Sequence, residues 1–369
     1  MPDWYESLGG LEGCRKLSTA FYARVARDPV LIPVFPSSFH CAVEALATFL
    51  AQFLGGPCVY SPQRWHLSLR EAHLRFQIGQ KERDAWMANM RHALAEIEVD
   101  AATNAALCEF FEQASTYLVN RPVSSNAACP HGALAPNWDR HLALEQAVVA
   151  IRTGNFAGAM TQVEDPRLQA CFERDPAAWL SLLAIMIGSG RMDDYVARRL
   201  TFLPELARGR HVYERTLLHD AAAAGNLRTA QLLLDLGADP NGLGGHTPLY
   251  EVGNSCRVEA GGEMVRLLVK AGADVNAQKN VKRCTALHMA ARRGNVRVAE
   301  ALLECGAKLE LRDSAGDTPL RRAVNCGKTG VAALLLSRGA DAQSEGSRGL
   351  TPAQAARTEA MKRIFSSPA

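Results

Sequence analysis

Three side chains in the first 122 residues are the candidates for functional chemistry: His73, Tyr22 and Trp86. His73 shares a helical spacing with Leu69 and Phe76, which predicts an imidazole on an apolar helix face. A neutral imidazole in such a place can bind a transition metal as an axial ligand. A lone histidine on such a face is more often a structural residue, and the spacing alone does not separate the two roles.

Tyr22 and Trp86 carry a phenol O–H and an indole N–H, which are both hydrogen-bond donors. Both residues could be core aromatics, as Phe21 next to Tyr22 is predicted to be. A buried tyrosine or tryptophan still needs a partner for its polar atom, and a small bound ligand would provide one. In a dry pocket such a bond is stronger than in water. Residue type alone leaves two roles open for Tyr22 and Trp86: donation to a bound ligand and packing in the core.

The elements that must position these residues are helices. Apolar residues recur at helical spacing in four stripes, and glycine or proline separates the stripes at residues 9–10, 33–36 and 55–57. The stripes are Leu17, Phe21 and Val25; Val43, Leu46, Ala47, Leu50 and Phe53; Trp86, Met90, Ala93, Leu94 and Ile97; and Leu107, Phe110, Phe111, Ala114 and Leu118. This pattern predicts an all-α domain over residues 1–122.

Five segments in the last part of the chain begin alike. They start at Thr216, Thr247, Thr285, Thr318 and Thr351, at steps of 31, 38, 33 and 33 residues, and the longest step contains an insertion-like stretch at 253–262. Their Thr-Pro-Leu-His pattern and period resemble the ankyrin repeat. The resemblance implies a helical solenoid over residues 214–369 that binds protein partners.

Each repeat can be built from local signals. Threonine is suited to cap the first helix, and proline to its first position. Glycine at a left-handed C-cap should end the second helix, as at Gly237 and Gly306. The pattern weakens upstream, where Gly154 and Gly190 keep a spacing of about 35 residues. We interpret residues 138–213 as degenerate repeats or a helical cap, and residues 123–137 as a linker.

The landmarks of residues 1–122 occur in the order of a known family. The domain resembles a truncated haemoglobin of the second group, a two-over-two helical globin, over nearly all of residues 3–121. The matching segments are 5–10 (YESLGG), 21–25 (FYARV), 28–31 (DPVL), 35–36 (FP), 49–57 (FLAQFLGGP), 60–61 (YS), 70–76 (REAHLRF) and 82–86 (ERDAW). The resemblance implies haem b as the cofactor and a diatomic gas as its ligand.

On this resemblance, His73 matches the proximal histidine that binds the haem iron. Tyr22 and Trp86 match the distal residues that donate to bound dioxygen. Phe35 matches the aromatic residue that wedges the haem.

The resemblance carries four further residues over. Ala42 and Leu46 match the distal helix, and with alanine at this position no distal histidine would gate the iron. Tyr60 and Arg70 are candidate partners of the haem propionates, with a solvated surface charge as the alternative for Arg70. Ala72 replaces a common arginine of the family, so the sequence departs from the family pattern directly before His73.

Composition and charge argue against several other classes. Residues 1–122 carry 11 basic and 13 acidic side chains and the remainder carries 30 and 25, so neither part shows the basic excess of a nucleic-acid-binding domain. The longest apolar run, 179–187, is too short to cross a membrane and predicts a buried helix. We expect a cytoplasmic protein in which several cysteines, such as Cys305 and Cys326, are reduced core thiols.

Two functions remain open from the sequence. The first is a gas-binding haem protein whose repeats dock a protein partner, as a sensor or as a carrier. The second is a haem enzyme, such as a nitric oxide dioxygenase or a peroxidase-like enzyme. The chain has no G-x-G-x-x-G motif between a strand and a helix, so an enzyme would need an external electron source.

Overall fold

The computed structural model describes residues 3–35, 39–60, 73, 76–120, 135–166, 168–169, 172, 176–211, 214–242, 245–256, 258–346 and 349–366. Across these residues every regular element is a helix, which confirms the predicted all-α class. None of the described helices is long and apolar enough to cross a membrane. By its internal contacts the chain divides into two compact units, residues 1–181 and 182–369.

The first unit begins with five described helices: α1 (Trp4–Ser7), α2 (Gly10–Val25), α3 (His40–Phe53), α4 (Gln80–Glu96) and α5 (Ala101–Tyr117). Helix α2 packs against α3 and α4, and α4 packs against α5. The predicted stripe of α2, Leu17, Phe21 and Val25, is fully buried in this core. Leu50 and Met90, from the stripes of α3 and α4, are fully buried as well.

Local signals set the ends of these helices. Asp100 caps α5, because its Oδ1 accepts hydrogen bonds from Ala102 N at 3.0 Å and Thr103 N at 2.9 Å. After α3 the chain turns at Gly56, where a Cβ atom would lie 2.5 Å from the ring of Tyr5. Only glycine allows this close approach, so the turn can pack directly on Tyr5.

The first unit continues with α6 (Ala135–Arg152), α7 (Phe156–Val163) and the start of α8 (Pro176–Ser189). Gly154 joins α6 to α7 with a φ of +80°, and Asn155 caps α7 by accepting a hydrogen bond from Gly158 N at 3.0 Å. The apolar run 179–187 lies in α8 and is largely buried, which confirms the prediction of a buried helix.

The second unit is a stack of paired helices. After α9 (Asp193–Phe202) and a short 3-10 helix (Pro204–Arg208), the pairs are α10 (Leu217–Ala224) and α11 (Leu227–Asp235), α12 (Pro248–Ser255) and α13 (Gly261–Lys270), α14 (Ala286–Arg293) and α15 (Val296–Glu304), α16 (Pro319–Asn325) and α17 (Thr329–Ser337), and α18 (Pro352–Ala355) and α19 (Glu359–Ser366). First helices pack on first helices, and second helices pack on second helices. Each pair therefore buries its apolar face against its neighbours.

The predicted capping signals operate in these pairs. Thr247 accepts a hydrogen bond from Tyr250 N at 3.1 Å, and Gly237 and Gly306 adopt φ values of +84° and +89°. The prediction of core thiols is wrong for Cys326, which is exposed, and Cys305 is only half-buried. Cys326 follows the last residue of α16, beyond the buried stripe of that helix.

Candidate functional site

Tyr22 lies on α2, one residue after the fully buried Phe21. Because successive helical residues are rotated by about 100°, Phe21 enters the core while Tyr22 stays half-buried at its edge. The ring of Tyr22 contacts the rings of Phe35 and Phe39, with centroid distances of 5.7 and 5.6 Å. Residues from α2, from the turn after it and from the start of α3 therefore meet around Tyr22.

Trp86 lies on α4 and is half-buried against the same core. Its ring centroid is 5.0 Å from that of Phe21 and 5.6 Å from that of Phe111. Phe21 is also 5.0 Å from Tyr22. The fold thus brings Tyr22 and Trp86 to the same buried phenylalanine, although they come from separate helices.

His73 is helical and half-buried, and its carbonyl oxygen accepts a hydrogen bond from Phe76 N at 3.0 Å. Its ring centroid is 6.2 Å from that of Phe76, which lies 6.4 Å from that of Phe35. Since Phe35 contacts Tyr22, a continuous line of aromatic rings joins His73 to Tyr22. Leu69, the third member of the predicted apolar face, lies outside the described residues.

The remaining predicted residues lie on or beside α3, with one exception. Ala42 and Leu46 are half-buried one turn apart on α3, and Leu46 packs against the core. The ring centroid of Tyr60, which follows α3, is 5.5 Å from that of Phe49 on α3. Arg70 lies outside the described residues, so its predicted contact with a propionate stays a prediction.

One carboxylate holds the segment that carries Phe35 beside the helix that carries Trp86. Asp28 Oδ1 accepts a hydrogen bond from Val30 N at 2.8 Å, and Asp28 Oδ2 accepts one from Asn89 Nδ2 at 2.6 Å. Asn89 is on α4, three residues after Trp86. Asp28 therefore fixes the turn after α2 against α4.

Asn120 holds the segment that follows His73. Its Nδ2 donates to Phe76 O at 2.8 Å, its Oδ1 accepts from Ile78 N at 2.9 Å, and its backbone N donates to Ile78 O at 2.8 Å. Sequence reasoning missed both this residue and Phe39. An asparagine just before a linker has the signature of an ordinary loop residue, and only the tertiary fold brings it to residues 76–78.

Comparison with known proteins identifies the first domain. The family model for bacterial-like globins matches residues 3–120. The group 2 truncated hemoglobin YjbI of Bacillus subtilis is 34% identical over 117 residues, which are 32% of this chain and 88% of that protein. The chain belongs to the bacterial-like globin family. The Two-on-two hemoglobin-3 of Arabidopsis thaliana is 28% identical over 141 residues, covering 34% of this chain and 81% of that protein.

The second part of the chain matches ankyrin repeats. A single-repeat model matches residues 213–243, and a model of three copies matches residues 254–345. The Ankyrin repeat and SOCS box protein 16 of Homo sapiens is 36% identical over 111 residues, which are 30% of this chain and 24% of that protein. The chain is thus a globin followed by ankyrin repeats, as the sequence predicted.

Membership of the globin family implies haem binding, and the described residues of the globin domain fit that group. Tyr22, Phe35, Phe39 and Trp86 pack against the core, yet each keeps part of its surface exposed. Clustered apolar rings of this kind form the wall that a flat, largely apolar macrocycle would cover. His73 adds an imidazole nitrogen at the end of the same line of rings, which is the donor type that haem iron binds.

The buried histidines of the ankyrin array join neighbouring repeats. The Nδ1 atom of His219 accepts a hydrogen bond from Thr216 N at 3.0 Å, so the proton lies on Nε2, which donates to His246 O at 2.8 Å. His288 repeats this arrangement, with Nε2 3.1 Å from Asp317 O. Burial lowers the pKa of both imidazoles. Both histidines are therefore structural residues that join neighbouring repeats.

Arg321 makes the same connection in the next repeat with different chemistry. Its Nη1 donates to Leu350 O at 2.9 Å and to Thr351 O at 2.6 Å. The guanidinium therefore bridges to the following repeat, as the imidazoles do at the earlier junctions.

Proposed function

We propose that the globin domain binds haem b and a diatomic gas, and that the ankyrin array docks a protein partner which receives the gas or responds to it. The line of aromatic rings that connects His73 with Tyr22, and through Phe21 with Trp86, is the observation that carries this proposal. It gathers an imidazole and two hydrogen-bond donors around one apolar wall.

His73 is the residue proposed to bind the iron, through the neutral form of its imidazole. Haem b held there would supply a ferrous iron with one coordination position for dioxygen or another diatomic gas. The clamp by Asn120 on residues 76–78 would keep the histidine segment in place. An iron ligand held in this way loses little conformational freedom on binding.

Tyr22 and Trp86 are the proposed donors to the bound gas. Their O–H and N–H groups would act in a site from which the surrounding rings exclude water, where hydrogen bonds are stronger. Phe35 would wedge the haem, and Ala42 and Leu46 would line its distal side.

Two further residues are proposed to bind the haem propionates. Tyr60 could donate its hydroxyl proton to one of them. Arg70 could pair with a propionate through its planar guanidinium.

The proposed domains are the globin domain (1–122), a linker (123–137), a degenerate-repeat or cap region (138–213) and the ankyrin repeats (214–369). The turn at Gly154–Asn155 supports repeat-like character, because it matches Gly294–Asn295 in φ and in the asparagine N-cap. In the second unit, Asn226 Nδ2 donates to Asp193 Oδ1 at 2.7 Å, so α9 extends the layer of second helices.

Titration of the full chain with haemin, followed by reduction and exposure to dioxygen, tests the proposal. We expect one haem per chain and a Soret band that shifts on reduction and again on binding of dioxygen or carbon monoxide. Absence of saturable haem binding would refute the haem function. Catalytic consumption of nitric oxide or peroxide by the haem-loaded chain would favour an enzyme over a carrier or sensor.

A further inference from the structure

Four arginines of the second helices in the ankyrin array are neutralised within the array. Each of the four, on or directly after a second helix, forms an ion pair with an acidic residue of a neighbouring repeat or element. The pairs are Arg228–Asp194 at 2.7 Å, Arg266–Glu304 at 2.7 Å, Arg297–Glu259 at 2.8 Å and Arg338–Glu300 at 3.1 Å. This layer of the array therefore offers little unpaired positive charge to a partner.

A second group of cations is arranged differently. We call it the basic face, and it comprises Lys279, Lys282, Arg283, Arg292, Arg293 and Arg312, all exposed. Among the described residues none of the six forms an ion pair, and the hydrogen-bond acceptors that Lys279, Arg293 and Arg312 contact are uncharged atoms. The even charge balance of the whole sequence conceals this face, because many of the compensating acids are paired elsewhere in the array.

The basic face spans two adjacent loops and the end of one helix. Gln278 Nε2 donates to Arg283 O at 2.7 Å and to Arg312 O at 2.8 Å, which places the two arginines on adjacent loops. Arg292 and Arg293 end α14, the helix that begins after the loop of Arg283, so they lie about 10 Å along the helix axis from that loop.

The loop that carries three of these six cations, Lys279, Lys282 and Arg283, is preorganised. Asn280 is buried, its Nδ2 donates to Cys284 O at 2.6 Å, and its Oδ1 accepts from Cys284 N at 3.0 Å. Ser314 N donates to Lys282 O at 2.8 Å, which ties the loop to the next one. At the tip of this braced turn, Val281 is 98% exposed.

We infer that the basic face and Val281 together dock an acidic segment of a partner protein that carries an apolar residue among its carboxylates. This inference rests on the proposed role of the array in protein binding and specifies the chemistry of the partner. Val281 favours a peptide over a nucleic acid, because an apolar tip between cations suits a chain that offers both carboxylates and apolar side chains.

Binding of an acidic segment at the basic face would disrupt fewer existing interactions than binding at the second helices. An incoming carboxylate could pair with these cations without breaking an existing ion pair, which it would have to do on the second helices. The braced loop also loses little conformational entropy on binding. Complementary charge should speed association and make it sensitive to salt.

Fluorescence anisotropy with the full chain tests the inference. The probes are a labelled peptide that alternates Glu with Leu, a peptide that alternates Lys with Leu, and an oligothymidine. We expect saturable binding of the Glu–Leu peptide that weakens as salt is raised. The triple variant Lys282→Gln, Arg283→Asn, Arg292→Gln should weaken that binding by about tenfold or more, and Val281→Ser should weaken it by about three- to tenfold.

The matched control is the triple variant Arg266→Gln, Arg297→Gln, Arg338→Gln, which removes the same charge from the second helices. It should bind the Glu–Leu peptide as the unaltered chain does, and circular dichroism should show that both triple variants are folded. Equal losses in both variants, or no binding by the unaltered chain, would overturn the inference. Preferred binding of the Lys–Leu peptide would overturn it while preserving a protein-binding array. Tighter binding of oligothymidine at the same face would assign that face to nucleic acid.

Discussion

The globin domain and the ankyrin array place their histidines in different surroundings. In the array, His219 is 1% exposed and both of its ring nitrogens are engaged, one by a backbone N–H and one by a carbonyl. In the globin domain, His73 is half-buried at the end of a line of aromatic rings. The surroundings of a histidine therefore decide whether it can bind a metal. An imidazole whose two nitrogens are both hydrogen-bonded to the backbone has no lone pair left for a metal ion.

The two regions also assemble their key contacts over different distances in the sequence. The ring of His219 is hydrogen-bonded to Thr216, three residues earlier, so a short motif specifies this contact. Two of the ring contacts of Tyr22 come from Phe35 and Phe39, outside its own helix. The structure of a repeat can therefore be predicted from a short sequence motif. The contacts of a globin pocket depend on how several helices pack together.

The sharpest test of this contrast is removal of His73. We expect His73→Ala to abolish stoichiometric haem retention, because the variant lacks the proposed iron ligand, and added imidazole should restore binding in part. Absorption spectra after haem titration provide the measurement. His92→Ala, which alters an exposed histidine on α4, is the control and should retain haem. A wild-type spectrum for His73→Ala would mean that another residue binds the iron.

Truncation of the array should have the next largest effect. A fragment that begins at Glu214 lacks α9, which packs on α11. It should therefore be less soluble and less stable than a fragment of residues 138–369, because it exposes an apolar face. Light scattering and circular dichroism compare the two. Equal behaviour would make residues 138–213 a separate spacer rather than a cap.

A third experiment concerns Tyr22 and Trp86, the proposed hydrogen-bond donors to the bound gas. Tyr22→Phe and Trp86→Phe each remove one donor to a partly charged ligand, which is worth about 1.5–3 kcal/mol. Dioxygen should leave each variant about ten- to a hundredfold faster in stopped-flow measurements. Tyr117→Phe, at a half-buried tyrosine of α5 on the same core, is the control. Unchanged release rates in both variants would show that these donors do not reach the ligand.

Loss of an inter-repeat bridge should be a smaller effect, confined to the array. His288→Ala removes the contact with Asp317 O and leaves buried backbone groups without a partner, so unfolding free energy should fall by about 1–3 kcal/mol. Urea denaturation monitored by circular dichroism measures this loss. His246→Ala removes a half-exposed imidazole and should cost much less. Similar losses in the two variants would contradict the bridging role.

Mild acid should produce the smallest change, again in the array. Burial lowers the pKa of His219 and His288 from the ordinary value of 6.5. Below pH 6.5 the unfolded chain binds protons that the folded array does not, so stability falls as the pH decreases towards the lowered pKa values. Urea midpoints of the 138–369 fragment at several pH values should show this trend. A His219→Gln, His288→Gln variant should lose most of the dependence, and an unchanged slope would contradict the assignment.

The sequence predicted features that depend on local chemistry. Helix stripes such as Leu17 and Phe21, the threonine caps and the left-handed Gly237 follow from spacing and residue type, and the structure confirms them. The clamp at Asn120 and the ring contacts of Phe39 could not be predicted, because they join segments far apart in the chain. Charge pairing escaped prediction for the same reason, since a count of charges does not show which carboxylates are already engaged.

The hydrogen bonds of Asn120 have a mechanical consequence. They fasten the end of the globin domain to the backbone of residues 76–78, and the chain leads on from there towards the repeats. A displacement of Asn120 would therefore disturb these bonds and the backbone of residues 76–78. The disturbed backbone begins three residues after His73. A shift at the end of the globin domain and a shift of the histidine segment are therefore linked through Asn120.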